Sequence, residues 1–169
     1  DLQPGMSYHL SVEAEDGHGN RTQTGPKLTI MTTDQAAPTW PQEARITVSQ
    51  LTDTSATLAW PHAEDDVGIA GYTVSLDGVV ITELDSDTTW TSIGGLAPWT
   101  MYSVTVTAHD GAGHESPPLN TPINTPDLEI PLWPDDSTLL GSLATGTTIT
   151  LGWTPATDDV GVAAYVIYQ

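Results

Sequence analysis

Three aspartates, Asp65, Asp66 and Asp110, are the side chains of this sequence best suited to hold an ion. Carboxylate oxygens are hard donors, and calcium takes about six to eight of them. Glu64 and Asp34 add carboxylates that the same site would use, and the Asp-Asp pair recurs as Asp158-Asp159. The sequence contains no contiguous helix-loop-helix calcium motif, so separate loops must bring the ligands together. The competing reading is that these aspartates cap turns by bonding their own backbone. Both readings stay open: no cofactor is required, and structural calcium is the ion these carboxylates would take.

His62, His109 and His114 are the remaining metal-capable side chains near these aspartates, but their spacing fits no established ligand pattern and exposed strand-end histidines are expected. Trp40 and Trp133 lie between prolines in segments that read as linkers, Trp99 lies in a loop, and Trp90 is expected in the core. Such tryptophans offer either a platform for sugar rings or packing between domains. For Trp99 and Trp133 the expectation is an interdomain contact. Asn20-Arg21-Thr22 is a glycosylation sequon placed in a loop. No nucleophile, base and acid arrangement or phosphate loop occurs in a recognisable context, so the chain is not expected to be an enzyme.

With 22 acidic and 3 basic residues, the formal charge is −19. Nucleic acid and anionic membrane surfaces are polyanions, and a chain of this charge is not expected to bind either. No apolar run is long enough to span a bilayer, so no membrane insertion is expected. The absence of cysteine excludes disulfides and zinc-thiolate sites.

The elements that must position these residues are set by an internal repeat. Leu2, Pro4, Tyr8, Val12, Ala14, Asp16, Gly17 and Gly19 recur as Leu96, Pro98, Tyr102, Val106, Ala108, Asp110, Gly111 and Gly113, each 94 positions on. Pro38, Trp40, Trp60, Asp66, Gly68 and Tyr72 recur as Pro131, Trp133, Trp153, Asp159, Gly161 and Tyr165, each 93 positions on. Alternating apolar residues predict strands over 7–14 and 26–33, then near 46–50, 56–61, 70–76, 79–84, 88–93, 101–109 and 119–124, with a tight hairpin at Asp77-Gly78. Seven short strands without helical periodicity argue for an all-β fold of tandem, immunoglobulin-like, seven-stranded antiparallel β-sandwiches. The expected boundaries are 1–34 for the end of one domain, 35–127 for a complete one and 128–169 for the start of a third. The N-terminus is expected to be a cut within a longer tandem array. Exchange of strands between chains is the lesser alternative, because it leaves Asp77 to Gly94 without a counterpart.

The pattern Leu96-x-Pro98-x-Thr100-x-Tyr102-x-Val104-x-Val106-x-Ala108, with Leu58-x-Trp60 and Gly71-Tyr72-x-Val74, resembles the fibronectin type III repeat. Asp65-Asp66-Val67-Gly68 and Asp16-Gly17-His18-Gly19-Asn20 are similar to motifs of its bacterial extracellular variety, although His114 stands where that pattern has asparagine. The resemblance implies that Trp60 is core, that Tyr102 returns its hydroxyl to backbone near Leu96, and that the loops carrying Asp65, Asp66 and Asp110 share the pole that receives the linker. The fold itself serves spacers, adhesins and receptors alike, and the function expected here is a structural or spacer segment of a secreted or cell-surface, bacterial protein, a stalk or fibre. Its partners would be neighbouring repeats and other copies in a fibre. The alternative is a carbohydrate-contacting accessory module of a polysaccharide-degrading enzyme or adhesin.

Overall fold

The computed structural model describes residues 1–143 and 146–168, with Leu143 described by its backbone alone. Ala144, Thr145 and Gln169, which belong to the expected third segment, lie outside the described residues. All eleven described elements are strands: β1 (Ser7–Ser11), β2 (Lys27–Met31), β3 (Thr47–Ser49), β4 (Ser55–Ala59), β5 (Ile69–Leu76), β6 (Val79–Asp85), β7 (Trp90–Gly94), β8 (Met101–Asp110), β9 (Leu119–Asn124), β10 (Leu139–Leu143) and β11 (Ile149–Trp153). Among the described residues no helix is long and apolar enough to cross a membrane.

The seven central strands form a three-stranded sheet, ordered β3-β4-β7, and a four-stranded sheet, ordered β6-β5-β8-β9. Sequence and pairing agree on the reason. β8 alternates Val104, Val106, Ala108 and Asp110 inward with Thr105, Thr107 and His109 outward, a period of two that buries one face. β5 pairs with it antiparallel, setting Tyr72 opposite Ala108 and Val74 opposite Val106. The β5–β6 turn is the two-residue kind expected at Asp77-Gly78, with φ of 50° and 79°. Aspartate tolerates the left-handed conformation, and its Oδ1 accepts the Ser103 N–H at 2.8 Å. β1 with β2, and β10 with β11, are separate antiparallel pairs.

The chain divides into two compact units, Asp1–Thr47 with Ala59–Thr91 and Ser103–Thr121, and Val48–Leu58 with Ser92–Tyr102 and Pro122 onward. In the first, Trp60, Tyr72, Val74, Val104, Val106 and Ala108 are buried. Trp60 meets Tyr72 edge-on at 5.8 Å, and the Tyr72 hydroxyl accepts the Ala63 N–H at 3.0 Å. In the second, Ala56, Leu58, Ile93, Leu96, Ile123 and Thr125 are buried. There the Tyr102 hydroxyl accepts the Ala97 N–H at 2.8 Å, as the sequence pattern requires. Tyr8 does the same for the Gln3 N–H at 2.5 Å, 94 positions earlier.

Two expectations about tryptophan are corrected. Trp90 is not core but 60% exposed, because the inward residues of β7 are Thr91 and Ile93 and the residue before Thr91 must point out. Trp40 is not in a free linker. Thr39 and Glu64 exchange two backbone hydrogen bonds of 2.8 Å, which draws the segment into the sandwich. The Trp40 ring then stacks on Tyr72 at 6.0 Å, and its indole N–H donates to the Pro117 carbonyl at 2.7 Å.

Candidate cation site at the loop pole

The loop between β4 and β5 is built around Asp65. Its Oδ1 accepts the N–H groups of Val67 and Gly68, both at 2.9 Å, which fixes the turn into β5. Asp66 follows on the exposed side. The segment after β2 brings Asp34 to the same place, its Oδ1 accepting the Ala36 N–H at 3.1 Å. Asp34, Asp65 and Asp66 thereby set one carboxylate oxygen each within 4.8 Å of one another. They flank a shallow hollow lined by Ala36, Ala37, Thr39, Glu64, Asp65 and Asp66.

Asp110 joins a second group through Asp34. One atom each from Asp34, Asp110 and the His114 ring also lies within 4.8 Å of the others. Unlike Asp34, Asp110 is already saturated. Its Oδ1 accepts the N–H groups of Ala112, Gly113 and His114 at 2.7 to 2.8 Å, and its Oδ2 lies 2.7 Å from His114 Nδ1. Burial pushes the Asp110 carboxyl up, but the His114 N–H, the His114 ring and the Ala112 and Gly113 N–H groups outweigh it and hold the pKa below the ordinary value. The hydrogen bond to Asp110 raises the His114 pKa against the opposing effect of burial, and the charges of Asp110, Asp34 and Asp65 add to the rise.

The histidine at position 114 takes over the work of asparagine. In the N-terminal hairpin, Asp16 Oδ1 accepts the N–H groups of His18 and Asn20, and its Oδ2 accepts the Asn20 side-chain amide at 2.8 Å. Nδ1 of an imidazole reaches the same oxygen from the same residue position. Among the described residues His62 and His109 join no metal-capable group. Asn20, the sequon residue, is exposed with its amide held by Asp16.

The donor set fits a hard cation. Oδ2 of Asp34 and Oδ2 of Asp65 are buried and, among the described residues, accept no hydrogen bond. A buried carboxylate oxygen without a donor or counter-ion is costly, and a divalent cation satisfies several at once. Asp127, Asp158 and Asp159 form a third group, at the positions equivalent to Asp34, Asp65 and Asp66. Asp158 Oδ1 again holds two backbone N–H groups, those of Val160 at 3.0 Å and Gly161 at 2.7 Å.

Trp133 and Trp99 have separate settings. Trp133 lies against Tyr165 at 5.7 Å, and Tyr165 meets Trp153 edge-on at 5.2 Å, repeating the Trp40, Tyr72 and Trp60 arrangement. Trp99 is 68% exposed, with φ of 50°. Its turn is held by Thr125, whose hydroxyl donates to the Ala97 carbonyl at 2.7 Å and accepts the Thr100 N–H at 2.9 Å. Thr32 clamps Gln3 and Met6 in the same manner. Sequence reasoning missed both threonines. A threonine placed just beyond the end of each repeat's last strand is the only signal they leave.

Residues 36–122 match the fibronectin type III domain. Among similar proteins, Chitinase A1 of Niallia circulans is 36% identical over 147 residues, which cover 83% of this chain and 20% of that protein. Chitinase Chi52 of Paenibacillus xylanexedens is 44% identical over 114 residues, covering 68% of this chain and 20% of that one. Endoglucanase B of Cellulomonas fimi is 33% identical over 180 residues, covering 100% of this chain and 17% of that one. The chain thus spans about a fifth of the length of these relatives. Domains d3-d4 of the rat CD45 extracellular region share the fold, with a TM-score of 0.51 at 18% identity over 74% of this chain and 66% of that one. With the domain match covering more than half of its length and Trp60 and Tyr102 placed as that sandwich requires, the chain belongs to the fibronectin type III family.

Proposed function

We propose that this chain is a non-catalytic spacer: fibronectin type III sandwiches in tandem within a secreted bacterial polysaccharide-degrading enzyme, holding its working parts apart outside the cell. The observation that carries this reading is the set of relatives. Chitinases and an endoglucanase match at 33 to 44% identity while the chain spans only about a fifth of each. The net charge of −19 suits a solvated segment that does not adhere to neighbouring surfaces. Co-sedimentation with insoluble chitin and with cellulose tests it. A spacer stays in the supernatant, and retention on either polymer overturns the reading.

A carbohydrate-contacting role is the second reading, and the exposure of Trp90 and Trp99 favours it, each ring being free to stack on a sugar. Trp40 does not serve this role, because its ring and N–H are engaged by Tyr72 and Pro117. Retention that disappears in Trp90→Ala or Trp99→Ala would establish it.

Structural calcium at Asp34, Asp65 and Asp66, with Asp110 adjoining, belongs to the same proposal. The unpartnered oxygens of Asp34 and Asp65 support it. Thermal melting with calcium and with chelator tests it, and equal midpoints remove the ion.

A further inference from the structure

Gly5 and Trp99 occupy equivalent places in two equivalent turns, Gln3-Pro4-Gly5-Met6 and Ala97-Pro98-Trp99-Thr100. Both are left-handed, with φ of 63° and 50°. Both turns are locked by the same pair of devices, a tyrosine hydroxyl and a threonine hydroxyl. The direction in which a side chain leaves the turn is therefore set by the clamp, whatever residue is present.

At the first of these turns the next sandwich comes very close. A Cβ on Gly5 would lie 2.9 Å from Cγ1 and 3.1 Å from Cγ2 of Val67. The receiving loop is rigid, since Asp65 Oδ1 holds the N–H groups of Val67 and Gly68. The loop at Asp158, Val160 and Gly161 is held identically, and its Gly161 has φ of 130° against 141° at Gly68. The receiving surfaces are thus the same, whereas the residue presented to them changes from no side chain to the largest one.

We propose that the residue at this turn position sets the fit between consecutive sandwiches. Glycine at position 5 lets the N-terminal hairpin close on Val67. Tryptophan at position 99 forbids the same approach to Val160, so the two junctions have different geometries and Trp99 acts as a wedge. This inference does not depend on calcium or on the spacer reading, because it rests on steric contact alone.

Pulsed electron-spin distances test it, and the absence of cysteine makes introduced label pairs unique. Lys27→Cys with Asp87→Cys reports the first junction, and Thr54→Cys with Ser142→Cys reports the second; all four positions are exposed and none lies in either turn. Gly5→Ala is expected to shift the first distance distribution and leave the second unchanged. Trp99→Gly is expected to shift the second alone. Because alanine in a left-handed turn is strained by itself, Gly5→Ala is repeated with Val67→Ala, which removes the two methyl groups in the way. Return of the first distribution toward that of the unsubstituted chain supports the wedge. A distribution that stays displaced in the double variant, or single variants that shift nothing, overturns it.

Discussion

His114 Nδ1 stands 2.7 Å from Oδ2 of the buried Asp110, and it does there what the Asn20 amide does for Asp16. The replacement makes the loop titratable. The His114 pKa is raised above its ordinary 6.5 in the folded chain, so the pair's contribution is fully present below that value and is lost as pH rises through the folded pKa. The Asp110 carboxyl is held below 3.8, so its contribution persists until pH falls through that lowered value. The melting midpoint should therefore decline as pH rises from about 6.5 through the raised value. In His114→Asn the decline should vanish, since an amide does not titrate. Calorimetry across that range checks this, and an undiminished slope in the variant would assign the pH response elsewhere. Calcium offers a second readout, because neutralising Asp34 and Asp65 removes part of what raises the His114 pKa. Its NMR titration should move to lower pH when the ion is added.

The strands were legible because their period of two is enforced by burial on one face. Tyr102 and Trp60 were legible because their partners are local or lie in the strand opposite. What escaped the sequence were facings decided by tertiary contact. Trp90 begins β7 on the outward side, a matter of one residue in register. Trp40 reads as a linker residue between two prolines, yet the Thr39–Glu64 bridge seats it on Tyr72. Within the acidic cluster, the sequence offered Asp65, Asp66 and Asp110 as one set. The folded chain makes Asp34 the common member and gives Asp110 four donors of its own.

Trp40 contributes through both ring and N–H, and the two are separable. Trp40→Phe keeps the stack on Tyr72 but removes the indole N–H and leaves the Pro117 carbonyl with the Ser116 hydroxyl as its remaining donor, a loss of about 1 kcal/mol. Trp40→Ala removes the ring as well and should cost at least about 2 kcal/mol more, given the apolar surface then uncovered over Tyr72. Urea unfolding of the two variants distinguishes these amounts. Equal losses would mean that the stack carries nothing.

Asp65→Asn separates the turn from the ion. Its Oδ1 can keep both backbone N–H groups, while the amide in place of the unpartnered oxygen removes one negative charge beside Asp34 and Asp66. Without calcium the variant should melt higher than the unsubstituted chain, by about 1 kcal/mol of relieved repulsion and desolvation. With calcium it should gain little, so the order of the two proteins reverses. A variant that melts lower in chelator would show that the carboxylate is satisfied without an ion.

Ala97 is gripped from both sides: its N–H donates to the Tyr102 hydroxyl, and its carbonyl accepts from the Thr125 hydroxyl. Tyr102→Phe removes the first bond and should cost about 1 kcal/mol. Thr125→Val keeps the shape at a fully buried position but removes the hydroxyl that bonds both the Thr100 N–H and the Ala97 carbonyl, so about 2 kcal/mol is expected. The two losses should not add. Once either grip is released the turn no longer needs to hold Trp99 at a positive φ, and the remaining grip stabilises a conformation that is no longer enforced. The double variant should therefore lose less than the sum by about 0.5 kcal/mol or more, measured as a double-mutant cycle in urea. Strict additivity would mean that each hydroxyl holds its own piece of backbone, and that the left-handed conformation of Trp99 has another cause.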